Sequence, residues 1–504
     1  MHRMRGQLLD APTRVRDGTH RGASLAATWR RFAPAMKRAG ITRIAELTGL
    51  DTLGIPVFAA IRPMGRSLST QQGKGLTPDA ARVSALMESL ETWTAEELAL
   101  PRVRGSVRSF GPRAVDVRLL PRAFGANGRA VAIDRDAVIE WVEGWDLVAN
   151  APLLVPVEAV TLDTTGVALA THAGAASAPT RKERREATDA GARATEQARR
   201  TGRATRQHDA DASRPRARRE GPARHGRDAL GGESATHAPV FDVSSNGLAS
   251  GNSLCEAILH GLCEVIERDA EAAWRRGGGD RRIVLDTIPD RACRELIDRI
   301  TSTGSRVFVW DITSDIALCA IGCAIVEDPR EPAWRALGCY QGFGAHAEPA
   351  IAIARALTEA AQTRLTYIAG GRDDFFADDY ARATDPEILR ELWERLAQPC
   401  DEPAVFDDLP RIASHRLGDA LAQVIERVVA AHEQAIAESS VVAGDADQPR
   451  VGSPRAERAE RAERAERATR NVQVIAIDLT HPKLRVPVAK VIVPGLATDV
   501  EALG

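Results

Sequence analysis

The sequence predicts an α+β fold in which paired antiparallel strands alternate with long helices. Residues 306–313 and 316–327 are apolar runs separated by a short polar break, which predicts a hairpin. Residues 347–366 form an alanine-rich stretch of helical character, and residues 472–479 and 486–495 again predict two strands. Strands in pairs followed by long helices favour layered α+β packing over a doubly wound parallel sheet.

The N-terminal part of the chain continues this alternation. Residues 54–61 predict a strand, and residues 77–100 predict a helix. At 504 residues the chain exceeds the usual limit of a single core. We therefore expect one large composite domain or two domains.

Two segments of biased composition interrupt the pattern. Residues 174–238 are rich in Arg, Ala, Asp and Gly and nearly lack large apolar side chains, so they cannot bury enough surface to offset their ordering entropy. Residues 444–470 repeat Ala-Glu-Arg, which supports a solvated helix but offers no apolar face. We predict a disordered insertion and a low-complexity tract that separate residues 1–173, 239–443 and 471–504. Lengthening a surface loop adds little to the entropic cost of closing it, so these three parts can still meet in one fold.

Charge and cysteine content narrow the class of protein. The chain has 67 Lys and Arg against 69 Asp and Glu, which gives no overall attraction to nucleic acid or anionic membranes. No apolar run approaches the ~20 residues of a membrane span, and the basic N-terminus lacks the apolar core of a secretory signal, so a cytoplasmic location is expected. The seven cysteines form no CxxC pair, which predicts reduced thiols. Cys319 and Cys323 lie in a strand-like apolar run and are expected to be buried.

A pair of glutamates three residues apart occurs twice on predicted helices, as Glu88 with Glu91 and as Glu264 with Glu267. Such residues share a helix face, so each pair places two like charges together. A divalent cation would reverse this penalty, and four carboxylates are ligands that Mg²⁺ accepts beside substrate phosphates. Either pair alone is also typical of a solvated helix surface. Apolar neighbours border both pairs, which makes the site interpretation more favourable.

Each glutamate pair follows a glycine-bearing turn. The turn at residues 73–75 can offer backbone N–H groups and Lys74 to a phosphate, although it lacks Walker A spacing. Residues 244–252 are polar and glycine-rich, which fits either ordinary turn chemistry or a nucleotide pocket. Further along, Gln362 and Arg364 can reach a base or phosphate, with a solvated helix face as the simpler alternative.

Taken in order, these motifs resemble the YcaO family of ATP-dependent peptide-modifying proteins, over most of the chain outside the two biased tracts. The residues that carry the resemblance are Gly73-Lys74-Gly75-Leu76-Thr77, Ser84, Glu88, Glu91, Ser245–Asn252, Glu256, Glu264, Glu267, Arg268, Gly344-Ala345-His346, Glu359, Gln362, Arg364 and Val491-Ile492-Val493-Pro494-Gly495.

The resemblance implies a YcaO-like fold, with antiparallel sheets flanked by helices in one composite ATP-binding domain, and it implies ATP and Mg²⁺ as cofactors. It also implies a catalytic set made of the four paired glutamates and Arg268. The assigned residues are Glu88, Glu91, Glu264 and Glu267 for Mg²⁺, and Lys74, Ser84, Asn252, Glu256, Arg268, Gln362 and Arg364 for ATP.

In the family, a nucleophile adds to a backbone amide carbonyl and ATP phosphorylates the resulting oxyanion, so that the oxygen leaves as phosphate. Residues 17–21 and 66–69 resemble the branch that works with TfuA-type partners. Two features depart from the usual pattern. Thr92 follows Glu91 where an arginine is usual, so one phosphate contact is lost or supplied elsewhere. The chain ends without the proline-rich tail common in azoline-forming members, which favours thioamide formation.

Three functions follow as hypotheses. The first is ATP-dependent thioamide formation on a peptide or protein, with an external sulfur donor and a TfuA-like or sulfur-delivery partner, in a chain that could form a homodimer. The second is an azoline-forming cyclodehydratase that uses the same site with an internal nucleophile. The third is a non-catalytic nucleotide-binding accessory or scaffold protein. Nucleic acid and membranes are not expected partners.

Overall fold

The computed structural model describes most of the chain outside the two biased segments. The predicted insertion at residues 174–238, the tract from residue 445 to residue 470 and Asp17 lie outside the described residues. The described residues are 2–14, 18–124, 130–165, 239–277, 279–331, 334–372, 375–400, 402–444 (backbone only from 438) and 472–497.

Helices and antiparallel sheets alternate along the described residues, as the sequence predicts. The helices are α1 Leu25–Phe32, α2 Met36–Ala39, α3 Pro78–Glu96, α4 Val107–Phe110, α5 Leu254–Arg275, α6 Arg291–Thr301, α7 Pro349–Ala369, α8 Ala377–Ala383, α9 Pro386–Leu396 and α10 Leu417–Gly444. The strands are β1 Arg3–Met4, β2 Gln7–Leu8, β3 Arg43–Glu46, β4 Val57–Ile61, β5 Thr70–Lys74, β6 Arg102–Gly105, β7 Ile139–Asp146, β8 Ala151–Pro156, β9 Leu248–Ser250, β10 Ser305–Asp311, β11 Ala320–Glu327, β12 Cys339–Ala345, β13 Ile475–Asp478 and β14 Val488–Ile492.

Three of the sheets build the framework of the described structure. One has the strand order β3-β4-β5, and another has the order β10-β11-β12. The third has the order β6-β7-β13-β14-β9, with β8 paired to β7. All of these strand pairs are antiparallel. Strands β7 and β9 share this third sheet although residues 166–238 separate them in the sequence, so the α+β class with antiparallel sheets is confirmed.

The predicted hairpin is confirmed, because β10 and β11 pair with Arg306 opposite Val326. The predicted helix at residues 347–366 is confirmed as α7, which has Pro349 in its first turn and ends at Gly370 in the left-handed conformation with φ of 58°. Proline at that position and glycine just after the last turn are ordinary helix boundary signals. The terminal strand pair is also confirmed, as β13 and β14.

The glycine turn predicted at residues 73–75 is wrong, because Gly73 and Lys74 end strand β5, opposite Phe58 and Val57. A Cβ atom at Gly73 would overlap with the backbone of Ala85 on α3. Glycine therefore lets the helix lie directly on the strand, which is a packing role that turn statistics do not distinguish from a turn. The second predicted turn is confirmed at residues 246–247.

All seven cysteines are free, and Cys319 and Cys323 are buried as predicted. Burial raises the pKa of both thiols, which disfavours the reactive thiolate. No helix in the described part of the chain combines the length and the apolar character needed to cross a bilayer.

Candidate functional site

The two glutamate helices have well-defined starting points. Thr77 caps α3 by accepting a hydrogen bond from the backbone N–H of Ala80 at 3.2 Å. Ser253 caps α5 in the same way, with the N–H of Glu256 at 3.2 Å. Capping residues of this kind supply partners for N–H groups that the first helical turn leaves unpaired. The short strand β9 contacts both helices, so the two glutamate pairs are brought to the same region.

Five glutamates from three helices form a cluster, which we call the five-glutamate cluster. Its members act on one another's pKa values, which requires them to be close in space. Helix α3 supplies two members, α5 supplies two, and α7 supplies one that was not assigned a site role from the sequence. The cluster consists of Glu88, Glu91, Glu264, Glu267 and Glu359.

Strand β12 and two cations hold one end of the cluster. Glu267 is 2% exposed and accepts a hydrogen bond from the backbone N–H of Ala345 at 2.7 Å. Arg268 lies between two carboxylates, with one nitrogen 3.8 Å from Glu267 and 3.8 Å from Glu359. Lys74 forms an ion pair with Glu359. The end of β5, the start of the β12 to α7 connection and helix α5 therefore converge here.

The carboxyl groups in this cluster are shifted away from their ordinary ionisation. Burial, opposed by Lys74 and assisted by Glu264, raises the pKa of Glu88 to about 7. Burial also raises the pKa of Glu264 to about 7, against the effect of Arg268. For Glu91, burial and then Glu88 raise the pKa well above its usual range. Ionisation of these carboxyls costs free energy, because they are buried and lie near like charges. A bound cation would lower that free-energy cost.

Two cations at the cluster were not assigned site roles from the sequence. Lys490 is buried on β14 and donates to the carbonyl of Ser244 at 2.6 Å. Burial lowers the pKa of Lys490 to about 8, although Glu264 acts in the opposite direction. Arg355 lies one turn before Glu359 on α7 and influences the pKa values of Glu264 and Glu359. Lys490 could have been found from the sequence because it is a charged residue within an apolar strand. Arg355 could have been found because it precedes Glu359 by four residues on one helix.

A second set of predicted site residues lies at the start of α5. The side-chain amide of Asn252 donates to Glu256 at 3.1 Å, and its carbonyl oxygen accepts from the Thr28 hydroxyl at 2.9 Å. Glu256 is fully buried and also accepts from the backbone N–H of Gly22 at 3.0 Å. The N-terminal segment therefore lies against two residues that the resemblance assigns to ATP.

The remaining assigned residues divide into two groups. Ser84 lies on α3 one turn before Glu88, and Gln362 on α7 donates to the backbone carbonyl of Gln72 at 2.9 Å. Both therefore lie on elements that build the cluster. Arg364 is fully buried and instead bonds to Asp51 at 2.8 Å and 3.1 Å and to Glu327 at 3.2 Å. The structure does not bring Arg364 to the cluster, because a buried guanidinium needs charged partners that are themselves buried.

The chemistry of the glutamate donors bears on the predicted Mg²⁺. Within the described residues, no group of three or more acidic, histidine or cysteine side chains has the spacing to enclose a metal ion by itself. Oxygen-only donors do suit Mg²⁺, which usually takes one or two carboxylates and completes its shell with water and substrate phosphates. Four carboxyls with raised pKa values fit such an ion chemically. The residues that would hold it are Glu88, Glu91, Glu264 and Glu267.

The raised pKa values predict how stability depends on pH. A carboxyl such as Glu264, with a higher pKa when folded, contributes stability that is complete below about pH 4.5 and lost as the pH rises through about 7. Without Mg²⁺ at about pH 8, Glu264→Gln should therefore unfold at a higher temperature than the wild type. The difference should shrink towards pH 4.5, the ordinary pKa of the group, and on addition of Mg²⁺. Thermal unfolding followed by circular dichroism measures both effects, and a variant less stable than the wild type at about pH 8 contradicts the prediction.

Antiparallel sheets that bring carboxylates from three helices together define an α+β protein suited to divalent-cation chemistry. The family described as YcaO cyclodehydratase, ATP- and Mg²⁺-binding, matches residues 72–184 and 228–497. The match covers most of the sequence, so the chain belongs to the YcaO family, and ATP and Mg²⁺ are its cofactors as predicted.

Similar proteins extend this assignment. A Rhizobium leguminosarum bv. trifolii protein described as an uncharacterized protein in the tfuA 3′ region is 29% identical over 513 residues, covering 98% of this chain and 93% of the relative. The structure of YcaO from Methanopyrus kandleri bound with AMPPCP and Mg²⁺ has a TM-score of 0.58 and 21% identity, covering 97% of this chain and 95% of that one. A heterocyclase in complex with substrate and cofactor has a TM-score of 0.62 and 18% identity over 97% of this chain. The chain spans 54% of that heterocyclase.

Proposed function

We propose that this protein activates a peptide backbone amide by ATP-dependent phosphorylation of the carbonyl oxygen. The observation that carries the proposal is the five-glutamate cluster, with Arg268 between Glu267 and Glu359. Phosphoryl transfer depends on positioning and on neutralising the charge of the transferred group, and carboxylate-held Mg²⁺ with nearby cations supplies both. An amide oxygen is otherwise a poor leaving group, so its conversion to phosphate makes the bond breakable.

Individual side chains have separate tasks in this proposal. The paired glutamates hold Mg²⁺, which neutralises phosphate charge when it is bound. Arg268 stays cationic, because carboxylates beginning with Glu359 raise its pKa against the effect of burial. Its side chain is 26% exposed, which leaves part of it accessible to a phosphate. Glu271 holds the same guanidinium at 2.7 Å and thereby fixes its direction.

Thioamide formation with an external sulfur donor is the more specific form of the proposal. The Rhizobium relative in the tfuA 3′ region aligns along nearly the whole chain, which supports a TfuA-like partner. Azoline formation remains the second candidate, because the family is described by its cyclodehydratases and one similar structure is a heterocyclase. Both reactions use the same activated amide and differ in the nucleophile.

Mass spectrometry separates the two products. The chain is expressed with and without a TfuA-like protein, and peptides of the host proteome are compared with those from cells expressing Glu267→Gln. Exchange of oxygen for sulfur raises the mass of a modified peptide, and this is the expected result. Loss of water instead would support azoline formation. If no peptide differs between the wild type and Glu267→Gln, amide activation by this site is contradicted and an accessory role is favoured.

A further inference from the structure

His346 is the next residue in the chain after a backbone contact with the five-glutamate cluster, but it is not one of the residues assigned to metal or nucleotide. It follows Ala345, whose backbone N–H donates to Glu267 at 2.7 Å. His346 is 7% exposed, and its ring meets that of His20 edge-on, with ring centroids 5.0 Å apart. The N-terminal segment that contacts Glu256 therefore also covers this imidazole.

Hydrogen bonding fixes which nitrogen of His346 carries the proton. Nδ1 accepts from the backbone N–H of Glu348 at 2.9 Å. A nitrogen that accepts a hydrogen bond has no proton, so the neutral ring carries its proton on Nε2. Burial and then His20 and Arg355 lower the pKa of His346 well below its ordinary value, which keeps the ring neutral. His346 is therefore a hydrogen-bond donor through Nε2 and is not poised to accept a proton.

Arg355 connects this imidazole with the cluster. Its charge acts on the pKa values of both His346 and Glu267. Its Nε atom is buried and has no hydrogen-bond partner within the described residues. A buried donor without a partner is costly, and one beside a catalytic cluster indicates a place for an acceptor group of a ligand.

We propose that His346 donates its Nε2–H to the carbonyl oxygen of the peptide amide that the site activates. The inference rests on the proposed function and adds a substrate-binding residue to it. When a sulfur anion adds to the carbonyl carbon, its electron pair forms the C–S bond and the π pair of the carbonyl moves onto oxygen. His346 stabilises that oxygen and keeps its own proton.

A neutral donor suits this reaction better than a charged one. The amide oxygen must remain nucleophilic, because its electron pair next forms the bond to phosphorus while the bond from phosphorus to ADP breaks. An imidazolium would transfer its proton to the oxyanion and block that attack. Neutral imidazole serves as a carbonyl-polarising donor in other enzymes whose environment lowers the histidine pKa.

Substitution of His346 by asparagine or glutamine tests the roles of the two ring nitrogens separately. In His346→Asn, the amide oxygen takes the place of Nδ1 and can still accept from Glu348, whereas the Nε2–H is lost. His346→Gln does the reverse, because its longer side chain returns an N–H group near the position of Nε2. His481 provides a matched control: its Nδ1 accepts from the N–H of Lys483 at 3.0 Å, it is also 7% exposed, and its ring meets Trp93 edge-on.

The assay measures phosphate release from ATP and Mg²⁺ with sodium sulfide and a tryptic digest of the host proteome as the peptide source. We expect His346→Asn to lower kcat and kcat/KM together by about 10²–10³, the usual cost of removing one donor to a developing oxyanion. Binding of a non-hydrolysable ATP analogue should be unchanged. His346→Gln should regain part of the turnover, and His481→Asn should match the wild type.

Three results would overturn the inference: turnover by His346→Asn equal to the wild type, loss of analogue binding in the same variant, or an equal loss of turnover in His481→Asn. Wild-type turnover in His346→Asn would exclude the donor role. Loss of analogue binding would mean that His346 contacts the nucleotide, and an equal loss in His481→Asn would mean that such buried histidine contacts serve only to stabilise the fold. Failure of the proposed function is distinguishable, because it would remove peptide-dependent turnover from the wild type as well.

Discussion

Replacing Glu267 with glutamine is expected to reduce Mg²⁺-dependent ATP turnover by about 10²–10³, the range found when one stabilising group is removed from a catalytic site. The substitution keeps the shape of the side chain and its ability to accept from Ala345 at 2.7 Å. It removes a buried negative charge that faces Arg268 and Glu359. The expected loss therefore comes from charge and not from packing. Phosphate release with saturating ATP and a peptide digest measures it.

Glu97→Gln is the matched control for this experiment. Glu97 lies just after α3, its side chain is 38% exposed, and it pairs with Arg66 at 2.6 Å. Exposed pairs of this kind contribute little to stability, so this variant should retain wild-type turnover. Equal turnover in Glu267→Gln and Glu97→Gln would mean that the cluster is not the catalytic site.

Arg364→Met is expected to lower the free energy of unfolding by about 3–5 kcal/mol, because it leaves the buried Asp51 without its cation and Glu327 with Arg335 alone. The Arg364 side chain is fully buried, Asp51 is 3% exposed, and Glu327 is 8% exposed. The family resemblance assigns Arg364 to ATP, whereas the structure gives it this structural network. Chemical denaturation of the purified protein measures the loss, and calorimetry with an ATP analogue tests nucleotide binding separately.

Two further variants complete the test of Arg364. Arg330→Met removes an arginine that is 70% exposed and pairs with Asp328 at 2.7 Å, and it should cost much less stability than Arg364→Met, because the lost cation is itself exposed to solvent. Combining Arg364→Met with Asp51→Asn should recover part of the stability, since one uncompensated charge is then removed. A stable Arg364→Met protein with weakened binding of the analogue would return Arg364 to the nucleotide site.

The fold elements that the sequence predicted are those with strong local periodicity. The hairpin of β10 and β11 and the helix α7 could be predicted because apolar spacing and boundary residues determine them locally. The supposed turn at Gly73 could not, because its glycine serves contact with α3, which is a long-range feature. Glycine marks both situations in a sequence, and only the position of the neighbouring helix distinguishes them.

The candidate site residues that could be predicted from the sequence are those marked by their residue type and their spacing. Both glutamate pairs were found because their spacing is visible in the sequence. Glu359 was noted within a motif but given no role, since its importance comes from Lys74, 285 residues away. Arg364 was assigned to ATP on family resemblance, and the partners that the structure gives it, Asp51 and Glu327, are 313 and 37 residues distant. Tertiary contacts of this range leave no local signal.

The most direct measurement of the central claim is calorimetric titration of the protein with a non-hydrolysable ATP analogue, with and without Mg²⁺. The account predicts that binding depends on Mg²⁺ and that Glu88→Gln and Glu264→Gln each weaken it by about 10–100-fold, the range typical of perturbed metal sites. Glu97→Gln should bind as the wild type does. Equal affinity without Mg²⁺, or unchanged affinity in both cluster variants, would contradict a cluster that holds Mg²⁺ on ATP.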